Sequence, residues 1–255
     1  MGWEADELAA QVADFERDGF LRLEGFLGAE ELQALRHELE RFLREVAPRM
    51  PADEVYREQP DEPASLKQLQ QLGAHDGWFR AQQHSGPFVE LARALLGGEV
   101  VPRNLQYFDK PAGLSRATPA HQDGAYFPIR PQRAVTLWLA LDAVREEQGC
   151  VRYVRGSHAR GLREHTPSET LGFSRHIADY EPEHEDELAQ PCEAGDLLAH
   201  HSLCIHRCEP NRSRARQRRA LGFIYYHADC EVDESADRSY QNTLAAKLRA
   251  AGRIT

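Results

Sequence analysis

The chain has 255 residues and a formal net charge of −10 at pH 7. This length suits a single domain, since barrel-like β folds often reach it as one unit, and it allows a sizeable core. The acidic balance argues against general nucleic-acid binding, which needs a basic face, and the absence of any run of about 18 apolar residues predicts no membrane span.

The N-terminus and the cysteines predict the compartment. The first residues are acidic and lack the pattern of a signal peptide. The cysteines form an odd set without CxxC pairing: Cys150, Cys192, Cys204, Cys208 and Cys230. That usage is typical of free thiols in a reducing environment, so we expect a cytoplasmic protein.

The first part of the chain, residues 1–98, is predicted to be mostly helical. Leu8, Val12 and Phe15 recur at helical spacing, and a longer apolar stripe runs through residues 30–46. Packing against a core is the interpretation we adopt for both stripes.

Shorter elements interrupt these helices. Residues 19–23 favour a short strand, and the stretch 51–64, rich in Pro, Asp and Glu, is predicted to be a loop. A further helix is predicted over residues 87–96, because Pro stands in its first turn and two glycines follow its end.

From residue 99 to about residue 230 the pattern becomes that of strands. Residues 99–108 are one candidate, and residues 134–141 are apolar on both faces, which predicts a central strand. On the central strand one face carries Val135, Leu137, Leu139 and Leu141, and the other carries Thr136, Trp138 and Ala140.

Two segments lie outside this series of strands. The long polar stretch 159–191 is predicted to be a substrate-facing lid with some helix, because long irregular loops are usually functional or disordered. A surface helix is predicted over residues 237–251, with Leu244 and Leu248 on one face.

The triplet His121-Gln122-Asp123 is a candidate metal site. In an extended chain its imidazole and carboxylate, two residues apart, project from the same side. With one distant His they would form the facial triad of a non-haem Fe(II) oxygenase, which leaves metal positions open to substrates. Taken alone, such a triplet is also typical of a polar loop.

A later stretch supplies candidates for the third ligand and for an anion anchor. Residues 195–206 are predicted to form an apolar strand that ends in His206, although His200 and His201 compete with it. These two point to opposite faces of a strand, so at most one can share a face with a given ligand. The next predicted strand begins with the pair Arg218-Arg219. This order suits an iron enzyme that uses 2-oxoglutarate, since the keto acid chelates iron and the far carboxylate needs a guanidinium fork.

Several short motifs stand in one order between roughly residues 60 and 230. They are Asp109-Lys110-Pro111, His121-Gln122-Asp123, Tyr126-Phe127, Leu137-Trp138-Leu139-Ala140-Leu141-Asp142, Gly149-Cys150, Gly156-Ser157-His158, Gly195-Asp196, Ile205-His206, Asn211 and Arg218-Arg219-Ala220. Together they resemble the phytanoyl-CoA dioxygenase family of Fe(II)/2-oxoglutarate-dependent oxygenases. Motifs in register are far more specific than any one of them alone.

The resemblance implies a mainly β fold with flanking helices, namely a distorted double-stranded β-helix of the jelly-roll, cupin-like kind. It implies iron held by His121, Asp123 and His206, and 2-oxoglutarate anchored by Arg218. His206 is preferred to its neighbours because the family's ligand stands five residues before the Asn of the next turn, here Asn211.

The resemblance also assigns supporting residues. Lys67 is similar to a Lys that contacts the co-substrate, and Gln106 to a residue that lines the same pocket; a solvated Lys and an exposed polar residue are the alternatives. By resemblance Trp138 faces the cofactor pocket, although an ordinary core Trp is equally compatible with the sequence. His158 belongs to a turn and is not a ligand, whereas His201 resembles a His that supports the ligands.

Two departures from the family pattern matter. The residue two after the distal His is usually Ser and can bond the co-substrate carboxylate; here it is Cys208, a weak donor. The interval from His206 to the Arg pair is one residue longer than expected, which leaves Arg218 and Arg219 both open. Arg218 is preferred, because the family's Arg precedes a basic residue and then Ala.

These observations predict a single oxygenase domain over residues 1–255 that hydroxylates a small organic molecule. The co-substrates would be dioxygen and 2-oxoglutarate, with release of succinate and CO2, and neither nucleic acid nor membrane would be a partner. A cupin-like metal-binding protein without turnover and a zinc hydrolase that uses the same three ligands are the alternatives. The sequence identifies neither the substrate nor the oligomeric state.

Overall fold

The computed structural model describes residues 5–59, 62–113 and 115–250. The helices are α1 Ala5–Asp18, α2 Ala29–Glu45, α3 Leu72–His75, α4 Gly77–His84, α5 Pro87–Leu96 and α6 Glu234–Ala250. The strands are β1 Phe20–Leu23, β2 Val55–Arg57, β3 Leu66–Leu69, β4 Val100–Lys110, β5 Thr118–His121, β6 Ile129–Arg130, β7 Ala134–Ala140, β8 Val151–Val154, β9 His165–Thr170, β10 Phe173–Ile177, β11 Glu187–Gln190, β12 Leu197–His201, β13 His206–Cys208, β14 Arg218–His227 and β15 Glu231–Val232.

Two antiparallel sheets form the framework. The larger has seven strands in the order β1-β12-β7-β14-β4-β3-β2, and the smaller has four in the order β11-β8-β13-β5. Two further pairs, β9 with β10 and β6 with β15, complete the strands. The prediction of a mainly β fold with flanking helices is therefore confirmed.

The central strand β7 separates two environments. Every one of its residues is buried, as expected for a strand whose two faces are both covered. Val135, Leu137 and Leu139 belong to the main apolar core, whereas Trp138 and Ala140 belong to a second cluster with residues of the smaller sheet. The predicted assignment of the two faces is confirmed.

Helices cover one face of the larger sheet. The apolar stripe predicted for residues 30–46 lies on α2, which buries Leu32, Leu35, Leu39 and Phe42 at helical spacing. Helix α5 begins at Pro87, as predicted, and its Phe88 ring stacks on Phe223 of β14 with centroids 3.9 Å apart. The opposite face of the sheet is left for the smaller sheet and for a cavity.

Two predicted loops contain strands. The stretch 51–64 was expected to lack regular structure, but β2 lies in it and extends the edge of the larger sheet beside β3. The stretch 159–191 holds the hairpin β9–β10 and strand β11, and its helical segments are 3-10 turns, the end of Ser157–Arg160 and Pro182–His184. Most hairpin residues are only half-buried, so the sequence shows no apolar alternation there.

The C-terminal helix differs from the prediction in its position. Helix α6 starts at Glu234, and Tyr240, Leu244 and Ala245 line the cavity instead of facing only solvent. Residue 251, the predicted end of this helix, lies outside the described residues. Within the described chain, no helix combines the length and the apolar character needed to cross a membrane.

The stacked pair Phe88–Phe223 should dominate the stability of the helix-covered face. Phe223 is fully buried, so we expect Phe223→Ala to lower the free energy of unfolding by about 3–5 kcal/mol. Val101→Ala is the control, because that side chain is 43% exposed and should cost less than about 0.5 kcal/mol. Denaturant unfolding followed by circular dichroism measures both, and equal losses would contradict the assignment.

Candidate functional site

A cavity of about 440 Å³ opens between the two sheets. Strands β3 and β4, the turn after β5, strands β7, β13 and β14, the β9–β10 hairpin and helix α6 all contribute to its lining. Small-molecule sites commonly have this size and lie in such enclosed places.

Strand pairing brings the three predicted ligands together at the wall of this cavity. Strands β13 and β5 run antiparallel with His206 directly opposite His121, and the two ring centroids are 4.2 Å apart. Asp123 lies in the 3-10 turn that follows β5. One donor atom from each of the three side chains lies within 4.8 Å of the others.

Both imidazoles are oriented for metal binding. Nδ1 of His121 lies 2.8 Å from the Pro119 carbonyl oxygen, and Nδ1 of His206 lies 3.0 Å from that of Cys204. These carbonyls can only accept, so Nδ1 carries the proton in each ring and Nε2 keeps its lone pair. Each Nε2 is 3.7 Å from Oδ1 of Asp123. Burial lowers the pKa of both imidazoles, which keeps them in the neutral form that binds a metal.

The carboxylate of Asp123 is fixed through one oxygen only. The Thr136 hydroxyl donates to Oδ2 at 2.6 Å, and Nε2 of His200 donates to the same oxygen at 3.1 Å. His200 is oriented in turn by Tyr153, whose hydroxyl lies 2.9 Å from Nδ1. Burial alone would raise the pKa of Asp123, but the His200 hydrogen bond and the nearby imidazoles outweigh it and hold that pKa below its usual range. The carboxylate therefore stays ionised with Oδ1 available.

Two neutral imidazole nitrogens and one carboxylate oxygen on the same wall fit a divalent metal ion. The donor set is that of the facial triad found in non-haem iron oxygenases. Zinc accepts the same ligands, so the donor atoms alone leave the choice of metal open.

The two competing histidines have different surroundings. His200 faces the cavity and supports Asp123. His201 points to the other face of β12, where its ring lies 5.6 Å from that of His158 and 6.3 Å from that of Phe15. The prediction that His201 supports the ligands is therefore wrong, and His200 has that contact. His158 lies away from the triad, as predicted, with Nε2 at 3.0 Å from the Glu16 carbonyl oxygen.

Arg218 and Arg219 also point to opposite faces of their strand. Arg219 forms a two-point ion pair with Asp142, at 2.8 and 3.0 Å. Arg218 lines the cavity, is only 4% exposed, and lies over the Trp138 ring at 5.2 Å from its centroid. Its Nε is buried without a hydrogen-bond partner in the described part of the chain. Since a buried guanidinium is costly unless it is paired, this side chain is suited to an anionic ligand.

The remaining predicted residues fall into two groups. Gln106, Trp138 and Cys208 line the cavity. Lys67 is not among the lining residues, but it is buried, with Nζ 3.0 Å from Glu58 Oε1 and 5.8 Å from the centre of the Phe173 ring. The alternative of a solvated Lys67 is therefore excluded.

A second lysine, Lys110, lies beside the anchor. It stands opposite Arg218 in the β14–β4 ladder, is 3% exposed, and its Nζ donates to the Arg116 carbonyl oxygen at 2.6 Å. Burial is the main cause that lowers the pKa of Lys110 to about 7, and the charges of Arg218 and Lys67 act in the same direction. Arg218 and two buried lysines, Lys67 and Lys110, thus lie close together, and Arg218 is the one of the three that lines the cavity.

Sequence reasoning missed the contacts that hold the triad. Alternation places Thr136 on the cavity face of β7, and His200 pairs with it in the β12–β7 register, but local sequence does not reveal that register.

Gln122, between the two ligands, is fully buried, and its Nε2 donates to the Gly161 and Leu203 carbonyls at 2.9 and 2.7 Å. Its Oε1 accepts from the Arg163 amide at 2.8 Å. Gln122 therefore ties the start of the 159–191 segment to the metal-binding wall.

Comparison with known proteins places this site in a family. The family model described as phytanoyl-CoA dioxygenase matches residues 15–220. The peroxisomal phytanoyl-CoA dioxygenase of Rattus norvegicus is 26% identical over 242 residues, which cover 89% of this chain and 71% of that protein.

Solved structures share the fold. The non-heme alpha ketoglutarate dependent carbocyclase SnoK from nogalamycin biosynthesis is 25% identical with a TM-score of 0.71, over 88% of this chain and 85% of that one. EctD from S. alaskensis with 2-oxoglutarate and 5-hydroxyectoine is 19% identical with a TM-score of 0.74, over 91% and 81% of the two chains. These likenesses confirm the predicted double-stranded β-helix.

The geometry predicts which histidines bind a metal ion. His121→Ala, Asp123→Ala and His206→Ala should each weaken Co(II) binding under argon by more than the roughly 10–100-fold typical of losing an outer partner. His201→Ala is the matched control and should bind Co(II) like the unaltered protein. Visible absorption of bound Co(II) measures the affinities. Loss in His201→Ala with retention in His206→Ala would make the ligand assignment wrong.

Proposed function

The chain belongs to the phytanoyl-CoA dioxygenase family, and we propose that it is a non-haem Fe(II)/2-oxoglutarate-dependent dioxygenase that hydroxylates a small organic molecule. The observation that carries this proposal is Arg218, a buried guanidinium that opens into the same cavity as the triad of His121, Asp123 and His206. A dicarboxylate that reached the metal with one end would meet this guanidinium with the other.

His121, Asp123 and His206 would hold the iron. Together with 2-oxoglutarate and dioxygen, the bound metal supplies the oxidising chemistry that yields succinate, CO2 and the oxidised substrate. The protein's part is to position and to shield. The bonds from Thr136 and His200 to Asp123 Oδ2 fix the carboxylate plane, so that Oδ1 keeps one direction.

The far carboxylate of 2-oxoglutarate is assigned to the part of the cavity that Arg218 lines. Arg218 would bind it directly, held against the Trp138 ring. Cys208 and Gln106 line the cavity and are proposed as further contacts, while Lys67, which lies behind the lining and pairs with Glu58, would act through its charge. Desolvation strengthens each of these charge interactions.

The two alternative functions, metal storage and zinc hydrolysis, do not require a buried guanidinium in the same cavity as the metal ligands. A metal-storage protein needs neither a cavity of about 440 Å³ nor a buried guanidinium beside its metal. A zinc hydrolase needs an activated water but no anchor for a keto acid. Succinate formation in air with added Fe(II) separates the proposed enzyme from both, and metal analysis of the purified protein separates storage from zinc hydrolysis.

The described cysteines support the proposed cytoplasmic location. All five thiols are free, and four of them are buried in the core, where burial raises the pKa of Cys150 to about 11 and of Cys204 to about 12. Such thiols stay protonated and unreactive at neutral pH.

Arg218→Ala should raise the 2-oxoglutarate requirement strongly. Loss of a hydrogen bond to a buried charged group costs about 1.5–3 kcal/mol, or roughly 10–150-fold in affinity. Arg219→Ala is the control: it should lower stability by breaking the pair with Asp142, while 2-oxoglutarate affinity stays unchanged. Titration of the visible band of the anaerobic Fe(II) and 2-oxoglutarate complex measures this affinity. The reverse result would assign the anchor to Arg219.

Lys67→Met tests the proposed electrostatic role of the lysine behind the lining. We expect a smaller rise in the 2-oxoglutarate requirement than in Arg218→Ala, because the interaction is indirect. The same titration measures it, and an affinity equal to that of the unaltered protein would remove Lys67 from the co-substrate site.

The product should be hydroxylated, or rearranged from the same substrate radical, and not halogenated. A halide would need the metal position that Asp123 occupies, and this carboxylate is held ionised by His200 and Thr136. With a substrate that stimulates succinate formation, mass spectrometry after reaction under oxygen-18 gas should find a labelled hydroxyl or a rearranged product, and no chlorinated product, even in high chloride. A chlorinated product from the unaltered protein would contradict this mechanism.

A further inference from the structure

One wall of the cavity carries uncharged amides. Five carboxamide side chains line it: Gln68, Gln70 and Gln71 from β3 and the turn that follows, and Asn104 and Gln106 from β4. The two β4 residues stand two apart on a strand and therefore share a face. Gln106 is proposed above as a contact of the co-substrate, and the other four amides have no part in the proposed metal chemistry.

These amides bond to one another and still keep unused capacity. Gln68 Nε2 donates to Gln106 Oε1 at 3.2 Å, and Asn104 Nδ2 donates to Gln70 Oε1 at 3.1 Å. Each carboxamide has two N–H donors and an oxygen with two lone pairs, so the network satisfies only part of it. Gln68 is 2% exposed, and its Oε1 has no hydrogen-bond partner among the described residues.

A mixture of open donors and acceptors favours hydroxyl groups as ligands. A hydroxyl both donates and accepts, so it can bond to either end of an amide. A carboxylate or phosphate only accepts, and an ammonium only donates, so each would leave part of the wall unpaired. Unpaired polar groups in a buried site cost affinity.

Aromatic rings form much of the remaining lining. They come from the turn after β5, from β10, from β14 and from α6, and they are Tyr126, Phe127, Phe173, Tyr226 and Tyr240. The rings of Tyr126 and Tyr240 are 6.0 Å apart edge to face. The Tyr240 hydroxyl is 3.0 Å from that of Ser174, which joins α6 to the hairpin above the cavity. The faces of such rings attract the C–H surface of a flat or ring-shaped ligand.

Five charged side chains are in the described lining, and of these Asp53 is an exposed carboxylate. Asp123 and Arg218 are assigned to the metal and the co-substrate. Glu54 pairs with His75 at 2.5 Å, and the Arg103 guanidinium lies over the Tyr226 ring at 5.0 Å. This arrangement offers no cluster of cations for the phosphates of a coenzyme A thioester.

We propose that the substrate is an uncharged, ring-containing polyol of the glycoside class, with its hydroxyl edge on the amide wall and its C–H face on the aromatic rings. This proposal rests on the proposed oxygenase function. The cavity volume of about 440 Å³ is small enough to limit the substrate to one or two rings once 2-oxoglutarate is bound.

Binding is tested in the protein loaded with Co(II) and 2-oxoglutarate under argon, so that the readout does not depend on turnover. The probes are the neutral phenyl β-glycosides of glucose, galactose and xylose. Phenyl β-D-glucuronide is the charged match of the glucoside, and octanoyl-CoA represents acyl thioesters. Calorimetry should find at least one neutral glycoside bound about tenfold or more tightly than both charged probes. The same glycoside should stimulate succinate formation by the Fe(II) protein in air.

Gln70→Leu tests the amide wall itself. Loss of one neutral hydrogen bond should weaken the glycoside about fivefold, and Gln70→Glu, which keeps the shape but loses the donors, should also weaken it. Gln33→Leu is the matched control, because Gln33 lies on the exposed side of α2 and should bind the glycoside like the unaltered protein. The 2-oxoglutarate band should persist in all three variants, which shows that they are folded.

Each outcome bears on one proposal. If the 2-oxoglutarate band forms but octanoyl-CoA or the glucuronide binds as tightly as the glycosides, or none of the glycosides binds, the substrate class is wrong and the oxygenase proposal stands. Unchanged glycoside affinity in Gln70→Leu would also overturn the assignment to the amide wall. If no 2-oxoglutarate band forms in the unaltered protein, the proposed function itself fails.

Discussion

The site depends on one antiparallel pairing, that of β13 with β5, which places His206 directly opposite His121. The third donor, Asp123, stands in the turn beyond β5, but its second oxygen is held by Thr136 and His200 from the larger sheet. The triad therefore joins the two sheets, and a change in their separation would move the carboxylate relative to the imidazoles. The cores on either side set the metal geometry because they fix that separation.

Because side chains alternate along the strands, the larger sheet packs against the helices with one face and lines the cavity with the other. On β7, Leu137 and Leu139 pack under the helices, while Thr136 and Trp138 face the cavity. Polar groups buried on the cavity side are tolerated where they pair with one another. Arg218 departs from this rule, because its Nε has no hydrogen-bond partner among the described residues. A bound anion is expected to supply that partner.

Local sequence predicted the features that depend on spacing. The imidazole and carboxylate of the triplet, the central strand and the helical stripes on α1 and α2 follow from periods of two and 3.6 residues. The choice between His200 and His201 did not, because it depends on the register of β12 against β7. The β9–β10 hairpin was also missed, since its half-exposed residues show no apolar alternation. Arg219 could be separated from Arg218 only by the position of Asp142, far away in sequence.

Differences in charge along the cavity lining explain how the cavity can hold 2-oxoglutarate and the proposed polyol substrate, each in its own place. Arg218 lines the cavity with a buried positive charge, and the buried Lys67 and Lys110 lie behind it, whereas other parts of the lining are neutral amides and aromatic rings. A dicarboxylate placed against the amides would bury its charge without a cation, and a neutral polyol beside Arg218 would leave the guanidinium unpaired. Either exchanged arrangement would leave a buried charge uncompensated. The free-energy cost of that charge exceeds the cost of losing a neutral hydrogen bond. Charge alone therefore assigns each molecule to its place before any contact specific to the substrate is made.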